Sequence, residues 1–216
     1  MKIAIPIFDR VTALDAIGPY EVLSRLPGAD LKFVGLEPGP VRTDNRMLSL
    51  NAELPLEGFA EPDILVFPGG FGTRVLMKDE RVLDWVRHVH ERTQWTTSVC
   101  TGSLVLGAAG LLEGLEATTH WASLHVLEQL GAKPTSRRVV EQGKIVTAAG
   151  VSSGIDMALR LAGYIAGDQV AQAIQLAIEY DPQPPYDSGS PEKASPEVVA
   201  LVRGAEDAEA RAAAAA

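Results

Sequence analysis

Short apolar runs, each closed by turn-forming residues, recur along the chain. Runs of this length that are apolar on both faces predict buried β-strands, and they cover residues 3–8, 31–36 and 63–67. Residues 95–99, which have Thr-Thr-Ser between Trp95 and Val99, are also predicted to be a strand. Two other segments place a polar or glycine-containing turn between short apolar stretches. They predict β-hairpins at residues 41–50 and 139–147.

Between the strands, apolar residues recur at the spacing of amphipathic helices. These helices cover residues 12–26, 79–92, 104–112, 122–130, 152–166 and 168–178. Apolar strands that alternate with helices predict an α/β fold, in which a mostly parallel sheet carries helices on both faces. Ligands bind at the carboxyl ends of the strands in such a fold. Several notable residues follow these predicted strand ends, namely Gly69, Gly70, Cys100 and Gly150.

Composition narrows the class of protein. The 216 residues are 46% hydrophobic, which fits one compact domain or one domain with a tail. The net charge is −9 without any basic stripe, so nucleic acid is not expected as a partner. The N-terminus lacks the features of a signal peptide, and no apolar stretch is long enough to span a membrane. A single cysteine forms no internal disulfide and favours a cytoplasmic location.

The last part of the chain differs in composition. Residues 181–191 are rich in proline, which excludes a regular helix and predicts an extended arm over the domain or over a partner subunit. A new helix is expected to begin at Ser195 and Pro196. The alanine-rich segment 203–216 is predicted to be a frayed or disordered tail.

Cys100, the single cysteine, lies where the predicted strand 95–99 gives way to an apolar helical run. This context is typical of a nucleophile elbow, which exposes a reactive side chain beside the N–H groups of a helix. The positive end of a helix favours the nucleophilic thiolate. The alternative is a small buried hydrophobe, the commoner role of a lone cysteine. The strand–turn–helix context favours the nucleophile.

Asp15 is flanked by apolar residues near the start of the first predicted helix. Such a carboxylate is either a helix cap or a buried functional acid. If Asp15 faces Cys100, the two acids must share charge, and one holds a proton while the other is ionised. The pair would then combine a nucleophile with a general acid/base.

Glycine residues mark two of the predicted strand ends. Gly69 and Gly70 allow close backbone approach and unusual φ angles, so their N–H groups are candidates for an oxyanion or substrate site. A tight turn without a catalytic role is the alternative. Gly150 and Val151 follow the second predicted hairpin and are assigned to the same substrate-binding group.

Two further polar residues are candidates. Thr101, directly after Cys100, is predicted to hydrogen-bond the thiolate or a bound ligand, or else to cap the helix. His120 is a candidate base because a Cys–His pair commonly activates a thiol; a structural role before a helix is its alternative. No cluster of His, Cys, Asp and Glu has metal-ligand spacing, so no metal is expected.

Several of these segments together resemble the ThiJ/PfpI superfamily, whose fold is related to that of class I glutamine amidotransferases. The resemblance extends over about residues 1–202 and is carried by residues 14–23, 68–70, 98–112, 117–122 and 154–156. The most specific of them is the Ser-Val-Cys-Thr-Gly-Ser run around Cys100. Within the superfamily, the chain is most similar to the isocyanide hydratase branch.

The resemblance implies a flavodoxin-like three-layer sandwich in one domain, residues 1–202, and a homodimer. It implies a cysteine-dependent lyase that hydrates an isocyanide to an N-substituted formamide through a thioimidate, without a metal or organic cofactor. Cys100 would be the nucleophile, and Asp15 would shuttle protons and hold the water. Thr101 and the N–H groups near Gly70 would orient the bound group. In this branch the histidine after the Thr-Thr pair is not the base, which argues against that role for His120.

The chain departs from the branch at Val151-Ser152-Ser153, where a bulkier run is usual, and in the segment after Trp121. These departures leave the size of the substrate open. Two alternative functions also stay open. Glyoxalase-type chemistry on small aldehydes usually pairs a glutamate at the position of Asp15 with a functional histidine. A non-catalytic cysteine sensor would instead be oxidised to a sulfenic or sulfinic acid.

Overall fold

The computed structural model of the chain, which describes residues 1–214, has a seven-stranded β-sheet at its centre. Two short ribbons accompany this sheet. Numbered along the chain, the strands of the sheet and the ribbons are β1 (Lys2–Pro6), β2 (Asp30–Gly35), β3 (Gly39–Arg42), β4 (Ser49–Ala52), β5 (Leu54–Pro55), β6 (Ile64–Phe67), β7 (Trp95–Val99), β8 (Glu116–Ala117), β9 (Lys133–Pro134), β10 (Val139–Gln142) and β11 (Ile145–Ala148).

The strand order of the central sheet is β10-β11-β7-β6-β1-β2-β5. All neighbours in it are parallel except β10 and β11, which form an antiparallel hairpin. The ribbons are β3–β4 and β8–β9. Phe67 pairs with Ser98, and Val99 pairs with Ala148, so the residues that follow β6, β7 and β11 meet at one edge of the sheet.

Helices cover both faces of the sheet. They are α1 (Ala13–Leu23), α2 (Thr73–Leu76), α3 (Glu80–Arg92), α4 (Gly102–Ala108), α5 (Leu124–Gln129), α6 (Ser153–Ala166), α7 (Asp168–Ala177) and α8 (Pro196–Ala214). Buried residues of α1, α6 and α7 form a core on one face, and buried residues of α2 to α5 form a core on the other. The predicted three-layer α/β fold is therefore confirmed.

The predicted strands and both predicted hairpins are present, with shifts of a few residues at their ends. The first predicted helix, 12–26, is shorter because α1 already ends at Leu23. The sequence pattern did not predict α2, β5, β8 and β9. Each of these elements has two to four residues, too few to establish a helical or alternating period.

The proline-rich segment 181–191 contains no helix or strand, as predicted. The side chains of residues 181–189 are exposed, so this part of the arm does not pack over its own domain. The predicted tail, residues 203–216, follows this arm. Residues 203–214 continue α8, while 215 and 216 lie outside the described residues. None of the helices in residues 1–214 is long and apolar enough to cross a membrane.

Candidate active site

Cys100 occupies a sharp turn between β7 and α4. Its φ of 55° lies in the left-handed region, which residues with a side chain adopt only where surrounding contacts hold them. Its N–H donates to the carbonyl oxygens of Ala148 and Ala149, at 3.1 and 2.8 Å. Gly102 is needed for the turn, since a Cβ there would lie 2.1 Å from the Phe67 carbonyl oxygen. The backbone thus has the geometry of a nucleophile elbow.

The carbonyl group of Cys100 is fixed as well. It accepts hydrogen bonds from Thr119 Oγ1 at 2.9 Å and from Ser103 Oγ at 3.2 Å. Both hydroxyls belong to buried residues. Because the N–H and the carbonyl group of Cys100 are both bonded, the backbone of the turn is held in place, and with it the direction in which the side chain leaves the backbone.

Asp15 lies in the first turn of α1 and is fully buried. The N-cap of this helix is Thr12, so the alternative role of Asp15 as a cap does not hold. Its Oδ2 accepts a hydrogen bond from the Gly69 N–H at 2.9 Å. Its Oδ1 has no nitrogen or oxygen partner in the described part of the chain, and the carboxyl group's other neighbour is the Cys100 thiol. The structure therefore brings the two predicted acids together.

The environment of this pair governs its protonation. Burial raises the pKa of Asp15 to about 7, against the opposing effect of the Gly69 N–H. Burial and the nearby Asp15 carboxylate raise the pKa of Cys100 well above its usual range, whereas the N–H groups of Val151 and Thr101 lower it. Burial thus outweighs the helix N-terminus that was expected to favour the thiolate. Because burial penalises both charges and each charge opposes the other, the pair retains at least one proton near neutral pH.

Gly69 and Gly70 have a different role from the one predicted. Their N–H groups donate to Asp15 and, at 2.9 Å, to Thr101 Oγ1. Both donors are already used within the protein, which corrects the expectation that they point at a bound group. The glycines are required for close packing. A Cβ on Gly69 would lie 2.6 Å from the Thr101 nitrogen, and one on Gly70, whose φ is 130°, would lie 2.3 Å from the Arg10 carbonyl oxygen.

Thr101 acts on the site through two different groups. Its backbone N–H bonds the sulfur of Cys100. Its hydroxyl accepts the Gly70 N–H and lies 3.2 Å from the hydroxyl of Thr73, which in turn donates to the Gly70 carbonyl oxygen at 2.7 Å. The hydroxyl makes no capping bond to α4, so the capping alternative does not hold. The side chain therefore orders the Gly70 turn, and the backbone serves the cysteine.

A cavity of about 130 Å³ opens beside the sulfur. Its lining comes from seven parts of the chain: the loop before α1, the β3–β4 turn, the segment from Gly70 into α2, the Cys100 elbow, the loop after β8, the loop after β11, and α8. The lining residues are Thr12, Asp44, Gly70, Phe71, Arg74, Cys100, Thr101, His120, Val151 and Glu206. This volume accommodates a small functional group.

The remaining predicted residues lie around this cavity. Val151 lines it, and its N–H bonds the Cys100 sulfur. Gly150 lies behind His120, with its Cβ position 3.0 Å from the ring carbon Cδ2. His120 also lines the cavity, but no hydrogen bond joins its ring to Cys100 among the residues described. Burial lowers the pKa of His120, which favours a neutral ring.

Arg74 is the most important group that the sequence did not reveal. Its guanidinium group donates to Thr73 Oγ1 and Ser123 Oγ, each at 3.1 Å, and lies 6.0 Å from the centre of the Phe71 ring. Burial lowers the pKa of Arg74, and the charges of Cys100 and Glu206 raise it. No local motif marks this arginine, because it reaches the cavity only through the packing of α2.

Four other lining residues were also missed: Thr12, Asp44, Phe71 and Glu206. Thr12 Oγ1 donates to Asp44 Oδ2 at 2.9 Å, which ties the β3–β4 turn to the start of α1. Within residues 1–214, no three His, Cys, Asp or Glu side chains are arranged to hold a metal ion. The chemistry available to these residues is nucleophilic attack by sulfur, coupled to proton transfer by a carboxyl group.

Comparison with known proteins places this geometry in a family. Residues 1–163 match the model of the DJ-1/PfpI family. An isonitrile hydratase from Pseudomonas putida is 45% identical over 199 residues, which cover 92% of this chain and 87% of the relative.

Known structures agree. A ThiJ/PfpI family protein from Pseudomonas syringae has a TM-score of 0.93 at 33% identity, and the match covers 99% of this chain and 89% of that one. DJ-1beta from Drosophila melanogaster, at 20% identity, shares the fold with a TM-score of 0.76 over 84% of this chain and 98% of that one. As the resemblance around Cys100 predicted, this chain belongs to the DJ-1/PfpI family.

Proposed function

We propose that this chain is an isocyanide hydratase, a lyase that converts an isocyanide and water to an N-substituted formamide. The observation that carries the proposal is the buried Cys100–Asp15 pair at the wall of a small cavity. The 45% identity to an isonitrile hydratase from Pseudomonas putida supports the same reaction.

The first step is attack of the Cys100 sulfur on the terminal carbon of the isocyanide. A carbon–sulfur bond forms, and the proton shared by Cys100 and Asp15 is delivered to the same carbon, which gives a thioimidate. This step needs one proton and one nucleophile. A pair that retains one proton near neutral pH holds both.

In the second step, Asp15 takes a proton from water as the oxygen adds to the thioimidate carbon. Asp15 passes this proton to the nitrogen. As the carbon–sulfur bond breaks, the remaining hydroxyl proton returns to the Cys100–Asp15 pair, and the formamide leaves with Cys100 regenerated. A general acid/base works best when its pKa is near the working pH, and burial raises the pKa of Asp15 to about 7.

The N–H groups of Thr101 and Val151 bond the Cys100 sulfur. They stabilise negative charge on the sulfur both before attack and when the sulfur leaves. In this proposal they take the place that the sequence assigned to Gly69 and Gly70.

The two alternative functions receive less support. Glyoxalase-type chemistry is usually paired with a functional histidine, and His120 forms no hydrogen bond with Cys100 in the described part of the chain. Redox-sensing cysteines are typically accessible and of low pKa. Cys100 is buried, and burial raises its pKa.

A homodimer in the cytoplasm completes the proposal. The exposed proline-rich segment 181–189 makes little contact with its own domain, which suits a segment that packs on a partner subunit. The single cysteine suits a reducing compartment.

The decisive test is turnover of an aryl isocyanide by the wild type and by Cys100→Ala, followed as formamide formation. We expect turnover by the wild type and its loss in the variant. Unchanged circular dichroism and thermal unfolding would show that the variant keeps its fold. Retained activity in Cys100→Ala would overturn the nucleophile assignment. No turnover by the wild type would overturn the hydratase proposal, and methylglyoxal would be the next substrate.

A further inference from the structure

Helix α8 lies at the mouth of the Cys100 cavity, where three of its charged residues contact or line the surroundings of the site. Arg203, Glu206 and Glu209 follow one another at three-residue spacing, which places them on one face of α8. The guanidinium group of Arg203 lies 5.3 Å from the centre of the Trp121 ring. Glu209 forms an ion pair with Arg10, with 2.5 Å between the oxygen and the nitrogen.

These two contacts hold the residue between them at the cavity. Glu206 lines the same cavity as Cys100 and is half-buried. The groups that feel its charge are Arg74 and His120. Glu206 therefore belongs to the surroundings of the sulfur, although 106 residues separate it from Cys100 along the chain.

The charges in the cavity are unevenly divided. Arg74 is the one basic side chain among the lining residues apart from His120, whose pKa is lowered by burial. Asp44 and Glu206 are acidic, and the Cys100–Asp15 pair adds to the negative charge. Glu206 thus offsets the charge of Arg74, which would otherwise attract an anion.

We propose that Glu206 is a specificity-determining residue that makes the cavity favour neutral isocyanides over isocyanides bearing a carboxylate. The identity of the substrate as an isocyanide rests on the proposed function. The selectivity by charge does not, because it concerns which small molecules reach Cys100. Without Glu206, the charge of the Arg74 guanidinium would no longer be offset, and a substrate carboxylate would be attracted to it.

Alkylation of Cys100 tests the selectivity independently of turnover. Iodoacetamide is neutral, and iodoacetate is a similar-sized anion. With either reagent the sulfur attacks the methylene carbon, a carbon–sulfur bond forms, iodide leaves, and the thiol proton passes to solvent. The ratio of the iodoacetate rate to the iodoacetamide rate cancels differences in the reactivity of the sulfur. Cys100 is the chain's one cysteine, so intact-mass spectrometry measures its modification directly.

We expect Glu206→Gln to raise this ratio at least about threefold at low ionic strength, and Glu206→Lys to raise it further. The matched control is Glu197→Gln, which removes the same charge from an exposed position at the start of the same helix. Its ratio should stay at the wild-type value. High salt should shrink the difference between the variants.

Hydration of isocyanoacetate and of its methyl ester then extends the test to substrates. The wild type should prefer the neutral ester, and Glu206→Gln should narrow that preference by a similar factor. An unchanged alkylation ratio in both Glu206 variants, or an equal change in Glu197→Gln, would overturn the assignment. If the wild type hydrates neither these compounds nor an aryl isocyanide, the proposed function fails, while the alkylation ratio still decides the role of Glu206.

Discussion

Two carboxyl groups reach the surroundings of Cys100 from opposite ends of the chain, and they differ in almost every physical respect. Asp15 is fully buried on α1 and bonded to the Gly69 N–H. Glu206 is half-buried on α8, a helix whose other side chains before it are mostly exposed. Asp15 is held in place by the core, whereas Glu206 is held by the contacts that Arg203 and Glu209 make on either side of it.

The difference shows how environment divides the work between similar side chains. Burial makes the charged form of Asp15 costly and raises its pKa to about 7, so this group suits proton transfer. Glu206 keeps contact with solvent, so its charge suits the selection of substrates. The same chemical group thus supports a reaction step in one place and selectivity in the other.

Replacing the buried acid should have the largest effect. Asp15→Asn keeps the shape of the side chain but removes the shuttled proton, so we expect turnover to fall at least about 100-fold. Steady-state hydration of an aryl isocyanide measures this loss, with Glu197→Gln as a control for the removal of one charge. A rate close to that of the wild type would assign Asp15 a structural role.

The raised pKa of the buried Asp15 also makes the stability of the protein depend on pH. An unfolded chain releases the Asp15 proton near pH 3.8, and the folded chain releases it near 7. Between these values the folded state binds more protons, so the contribution of Asp15 to the free energy of unfolding decreases as pH rises from about 4 to 7.

Asp15→Asn removes this dependence. As pH rises from 4.5 to 8, the difference in free energy of unfolding between Asp15→Asn and the wild type should therefore shift in favour of the variant by about 1 to 4 kcal/mol. Urea unfolding at the two pH values measures the change. A constant difference between the two proteins would show that the pKa of Asp15 is not raised.

The buried side of the site also depends on Thr101. Thr101→Val leaves the Gly70 N–H without its acceptor, which should cost about 1 to 3 kcal/mol of stability and lower kcat roughly tenfold. Thr101→Ser keeps the hydroxyl and should restore most of both. Urea unfolding and kcat, measured together on the two variants, test this role. A serine variant as impaired as the valine variant would show that the methyl group, rather than the hydroxyl, matters.

The smallest expected change concerns Glu206. In Glu206→Gln, the ratio of the iodoacetate rate to the iodoacetamide rate should rise several-fold. A larger loss of turnover in Glu206→Gln than in Asp15→Asn would reverse the division of roles between the two carboxyl groups.

Much of the central sheet could be predicted because its strands carry their own signal. The apolar runs at β1 and β6 are buried on both faces and can be recognised as buried strands. The elbow at Cys100 was predictable for a similar reason, since a strand, a turn and a helix follow one another directly in the chain. The two-residue strands lack any such pattern.

The sequence by itself determined the fold class and the elbow, because local periodicity and a short motif carry that information. It named Asp15 as a candidate acid, but it did not show that Asp15 lies beside Cys100. Only the tertiary structure decided where the N–H groups of Gly69 and Gly70 point, how far burial raises the pKa values of Asp15 and Cys100, and that Arg74 and Glu206 enter the cavity. Desolvation and electrostatic interactions depend on distances between groups that are far apart along the chain, and those distances exist only once the chain has folded.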